Sequence, residues 1–107
     1  MDSEEVTEVT ENPLNVIGKL DPELLKLAQD SGRAAFADGS LPKKTKLLIA
    51  MALDAAHGAV GGVRSLTQQA MEAGATKEEI AETLMVTNHV CGVGSVYTAA
   101  HALKDLL

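Results

Sequence analysis

Few polar side chains interrupt the apolar stretches of this chain: Asp54, His57, Asn88, His89, Tyr97 and His101, with Cys91. Asp54 and His57 stand three residues apart, which places them on one face of a helix. A carboxylate beside an imidazole selects its tautomer and raises its pKa, the usual route to a general acid or base. The alternative is a helix-end pair, since His57 precedes the stop signal Gly58 and a cation suits that end of a helix. His89 and Cys91 are two residues apart, about 200° around a helix axis, so they do not form a two-ligand metal pair. His89 with Asn88 beside it reads instead as the lining of a pocket. Cys91 has Val90 and Val93 nearby and no adjacent cation, and an apolar setting raises a thiol pKa and leaves it inert. Tyr97 lies four residues before His101, on the same face. There is no HExxH, CxxC, Walker loop or GxSxG, and no metal or cofactor is expected. The run Gly58-Ala59-Val60-Gly61-Gly62-Val63 follows no strand, which removes a phosphate-loop reading.

These residues require helices to position them. Asp21 before Pro22 is an N-cap with proline at the first helical position, and Leu24, Leu25, Ala28, Gly32, Ala35 and Phe36 follow at helical spacing. A second helix begins at Ser40–Pro42 and runs to Gly58. Lys43, Lys44 and Lys46 crowd its first turns, the end a helix dipole makes unfavourable for cations. The glycine pair Gly61-Gly62 weakens the start of the third helix, expected over Val63–Glu72 and ending at Gly74. Thr76 with Glu79 is a capping box that launches a fourth helix carrying Ile80, Leu84, Thr87 and Cys91 on one side. Gly92 and Gly94 break or kink it, and a last helix from Ser95 closes the chain. No alternating strand pattern occurs, so the fold class is all-α, with about five helices.

The remaining bounds come from composition. With 107 residues the chain is one domain, expected over residues 13–107, preceded by an acidic flexible tail at residues 1–12. A net charge of −6 argues against nucleic acid as a partner. No apolar run is long enough for a membrane span, and the acidic start does not read as a targeting segment. One cysteine excludes an intrachain disulfide and points to a reducing, cytoplasmic compartment. Aromatic residues are only 2%, leaving Ala, Leu, Val, Ile and Met to build the core. A core of such small residues gains burial by self-association, so a homo-oligomer is expected.

The stretch from Leu41, with Lys43, Lys44 and Lys46, through an Ala-rich helix to Ala73-Gly74-Ala75-Thr76 and Glu78-Glu79-Ile80, resembles the carboxymuconolactone decarboxylase and AhpD-like alkylhydroperoxidase superfamily. That resemblance implies a helical fold assembled into dimers, trimers or hexamers. In the peroxidase branch a glutamate, a CxxC pair and a histidine form a thiol relay. The matching positions here are Leu47, Ala59, Gly62 and Leu66, so dithiol peroxidase chemistry does not carry over. In the decarboxylase branch, a Cys-Gly-Val phrase and a later histidine match Cys91-Gly92-Val93 and His101. Three functions follow as expectations. One is a small-molecule (lactone acid) decarboxylase using His57, His89 and His101 with Asp54, the ligand held by Arg64, Tyr97 and Asn88. Another is a non-catalytic oligomeric binding or structural member. The third is a peroxidase-like protein using Cys91 as a lone thiol. The first expectation places His57 and His89 on one pocket, with His101 approaching it.

Overall fold

The computed structural model describes residues 12–107. The expected acidic tail therefore lies outside the described residues, except for Asn12. Among the described residues there are six helices and no strand: α1 Asn15–Leu20, α2 Pro22–Phe36, α3 Lys43–Ala56, α4 Val60–Glu72, α5 Lys77–Cys91 and α6 Val93–Leu103. The short α1 is additional to the five expected. The chain divides into two compact units, the first ending at Ala35 and the second comprising Phe36–Leu107.

In the first unit, α1 and α2 meet at Asp21. Its carboxylate accepts from the N–H groups of Glu23 (3.0 Å) and Leu24 (3.4 Å), the cap read from the Asp-Pro pair. Leu25 lies over the bare Cα of Gly18, where a Cβ would meet it at 2.7 Å. The polar side of α2 carries Lys26–Asp30 (2.7 Å) and Asp30–Arg33 ion pairs, one helical turn apart. Neither helix buries a residue.

In the second unit, helices α3 to α6 pack around one core. Met51, Ala55, Val63, Ile80, Ala99 and Ala102 form its centre, with Leu48, Leu66 and Leu84 against them. Leu47, Ala70 and Ala75 form a second cluster, flanked by Phe36 and Leu66. These buried positions recur at helical spacing, for example Leu47, Met51 and Ala55 on α3.

Two of the three lysines at the start of α3 are resolved by side-chain contacts beyond their own turn. Lys46 donates to the carbonyl of Ala37 (2.6 Å), just past the end of α2, where a cation is favourable. Lys44 reaches Glu79 at 3.0 Å. The first N–H of α3, that of Lys43, goes to the Asp38 carboxylate at 2.7 Å.

Two helix starts differ from the sequence reading. Helix α4 begins at Val60 and contains Gly61 and Gly62, and the Asp54 carboxylate occupies the space over Gly62 that a side chain would need. Helix α6 begins at Val93 and contains Gly94. Gly92 alone makes the corner between α5 and α6. Its φ of 91° with ψ of 167° is a conformation open essentially only to glycine.

Candidate functional site

The start of α5 shows how firmly the frame is held. Thr76 Oγ1 accepts from the Glu79 N–H (3.1 Å), and Glu79 accepts from the Thr76 N–H (2.9 Å), the expected capping box. The Thr76 N–H, together with the Lys44 ammonium, holds the Glu79 carboxyl below its ordinary value of 4.5.

The polar residues singled out above fall at separate places. His57 is the C-cap of α3, exposed, with Nδ1 donating to the Leu53 carbonyl at 2.8 Å. A carbonyl oxygen only accepts, so Nδ1 carries the proton and Nε2 is left to face solvent. Asp54 does not orient this ring. Its carboxylate turns to the first turn of α4, where a negative charge is favoured. The Asp54–His57 pair expected from the i,i+3 spacing is therefore not formed, because each side chain serves a helix end.

His89 lies in the last turn of α5 and is exposed. It is nine residues from the buried Ile80, which puts it about 180° around the helix from the core face. His101 and Tyr97 share the exposed side of α6, with Tyr97 66% accessible. Arg64 donates through a guanidinium N–H to the Ala102 carbonyl at 3.2 Å, satisfying the C-terminal end of α6. Cys91 ends α5 and is exposed rather than enclosed by its apolar neighbours. The three histidines stand on three helices, each on a solvent side.

Two apolar grooves and a smaller polar cleft mark the surface of the second unit. The larger groove, of about 450 Å³, runs between α5 and α6. Ala81, Leu84, Met85, Asn88, Val93 and Val96 line it. The other groove, of about 340 Å³, runs between α3 and α5 and is lined by residues that include Ile49, Leu53, Thr83 and Val86. The cleft, of about 250 Å³, has Lys43, Gln69, Glu72 and Ala73 in its wall. None of these three contains a histidine. Of the sequence-derived set, Asn88 lines one of these three concavities and the other residues line none of the three. Its groove partners Ala81, Leu84 and Met85 precede it by seven, four and three residues. That i, i+3, i+4, i+7 stripe is present in the sequence, but it carries no titratable group to mark it as a site.

The positions matching the thiol relay of the peroxidase branch are apolar or backbone-like. Leu47 is 1% exposed, and Leu66 packs against the same cluster, so a hydrophobic contact occupies the place of a proton relay. Ala59 is the N-cap of α4, and Gly62 lies under Asp54. Among the described residues no three His, Cys, Asp or Glu side chains gather as metal ligands. No helix there is long and apolar enough to cross a membrane.

Residues 22–105 match the family model described as carboxymuconolactone decarboxylase family. An uncharacterized protein of Cupriavidus necator is 36% identical over 87 residues, which are 81% of this chain and 77% of that protein. The crystal structure of an apo carboxymuconolactone decarboxylase family protein from Legionella pneumophila superposes with a TM-score of 0.81 at 37% identity. That match covers 94% of this chain and 90% of the Legionella chain.

Proposed function

Because the chain belongs to the carboxymuconolactone decarboxylase family, we propose that it is a non-catalytic member of that family, an oligomeric binding module. It takes a small, mostly apolar molecule with one polar group in the groove between α5 and α6. The observation that carries this reading is the composition of that groove. Its wall is aliphatic except for Asn88, and no ionisable side chain enters it. Pockets of this kind hold a ligand by apolar contact and orient it with a few polar groups. The Asn88 amide both donates and accepts, which suits an ester, lactone or amide carbonyl. A volume near 450 Å³ lies within the range of small-molecule sites.

Decarboxylation would ask more of the site. It needs a cation to hold the substrate carboxylate and an acid to protonate the carbon left behind. Arg64 is engaged at the end of α6, and the three histidines stand outside this groove. The test is a titration of the ¹⁵N-labelled full chain with γ-nonalactone. Amide shifts confined to α5 and α6 around Asn88, weakened in Asn88→Leu, are the expected result. Release of CO₂ from a carboxylactone, lost in His89→Ala or His101→Ala, would overturn the reading in favour of a histidine decarboxylase.

A further inference from the structure

We infer that the groove between α5 and α6, read as the binding site proposed above, takes its ligand lengthwise. A carbonyl rests at Asn88, an unbranched alkyl tail runs toward Ala81, and Ala81 sets the longest tail the site accepts. The polar and apolar parts of the wall are separated along one axis. Ala81, Leu84, Met85 and Asn88 follow one another along a single face of α5. At 1.5 Å per residue, the seven steps from Asn88 to Ala81 make a straight track of about 10 Å.

Asn88 stands at the corner end of that track. Gly92 turns the chain there, and its N–H takes the Asn88 backbone carbonyl at 2.9 Å. The Asn88 side-chain amide has no polar competitor in the wall, where the other lining side chains are aliphatic or a thioether. Val93 and Val96, in the first turn of α6, lie within a few residues of the corner and wall the same end. A tail leaving the corner passes Leu84, half-buried against the core, with the exposed Met85 beside it.

The far end is closed to an apolar chain by charge. Lys77 and Glu78 stand four and three residues before Ala81, one turn further along the same face, and both are exposed. Their charged groups keep their water, so a methyl end pushed against them gains nothing. The apolar wall therefore ends at Ala81. An extended chain advances roughly 1.2 Å per bond, a third of the reach of an extended residue, so the track holds a carbonyl and about eight further carbons in line. In a γ-lactone the ring takes about two of those steps, which leaves a tail of about six carbons. The groove is open on one side, so each methylene laid along it should tighten binding roughly two- to fourfold.

The test titrates γ-hexalactone, γ-octalactone, γ-decalactone and γ-dodecalactone into the ¹⁵N-labelled full chain. Affinity should rise roughly two- to fourfold per methylene as far as γ-decalactone and change by less than about twofold beyond it. The Asn88 amide should shift with every member and the Ala81 amide with the longer ones. Ala81→Leu puts a larger side chain across the end of the track in a residue of similar helix propensity. It should keep its helical circular dichroism and its affinity for γ-hexalactone, and bind γ-decalactone roughly tenfold more weakly. A series without a break overturns this inference and leaves the binding reading standing. An Ala81→Leu variant that weakens every member equally, or none, does the same. No shift at Asn88 with any lactone overturns both. So do shifts along α5 that follow dilution of the protein alone, which would assign the groove to a second copy of the chain.

Discussion

Thr67 sits at 0% exposure on the core face of α4, and its Oγ1 has no hydrogen-bond partner among the described residues. A buried hydroxyl without a partner costs about 1–3 kcal/mol. Valine has nearly the same shape and similar helix propensity, so Thr67→Val removes that cost and adds apolar contact with Val63 and Ala70 one turn away. The variant should be more stable by about 1–2 kcal/mol. For a domain of this size each kcal/mol raises Tm by about 4–8 °C. Differential scanning calorimetry at one fixed protein concentration measures it, since self-association would otherwise move Tm. Thr87→Val is the control. Thr87 is also buried, at 4%, but its hydroxyl donates to Thr83 at 2.7 Å, so that variant should be unchanged or weaker by up to about 1 kcal/mol. If Thr67→Val lowers Tm, or if the two variants behave alike, the hydroxyl is hydrogen-bonded in solution and the reasoning fails.

Gly61 and Gly62, adjacent in α4, should respond to alanine in opposite directions. Nothing lies within 4 Å of a Cβ at Gly61, so Gly61→Ala gains about 0.5–1 kcal/mol, whereas Gly62→Ala collides with the Asp54 carboxylate and loses about 1–3 kcal/mol; urea unfolding reads both. The folded Glu79 carboxyl titrates below its unfolded value of 4.5, so its contribution to stability is present above that pH and is lost as the solution is acidified through the lower folded value. Glu79→Gln should therefore flatten the acid side of a stability-against-pH curve, and an unchanged acid limb would contradict the pairing with Thr76 and Lys44. Hydroperoxide turnover driven by a dithiol reductant should be absent, since Leu47, Ala59, Gly62 and Leu66 stand where a relay would be. Turnover that vanishes in Cys91→Ser would promote the exposed thiol to a catalytic role.

Local signals were the most legible in the sequence. The Asp21 cap and the Thr76–Glu79 box act within three residues, and both form as read. Helix faces were legible where a run of apolar residues defines them, as on α3. The glycines of α4 misled because their intrinsic penalty is only about 1 kcal/mol per residue, which a tertiary neighbour outweighs. That neighbour, Asp54, is eight residues away and was read as the partner of His57 instead. The destinations of Lys44 and Arg64 lie 35 and 38 residues distant, beyond any local pattern. His89 is a different case. Counting from Ile80 at 100° per residue already places it opposite the core, so the expectation of a shared His57–His89 pocket weighed chemistry above geometry.

The corner at Gly92 bears on how quickly a molecule would enter and leave the groove between α5 and α6. A single residue joins the two walls, so the connection between them offers no loop to swing aside. Where binding sites close behind their ligand, opening and closing set the pace of exchange. Were the groove to bind as proposed, entry would be governed by diffusion to it, and differences in affinity among ligands would reside in their rates of departure. A site of that kind would sample the molecules around it continuously and retain each only for as long as contact with Met85, Val93 and their neighbours held it, a behaviour that suits carrying or sensing, the proposed role, better than trapping a reactive intermediate.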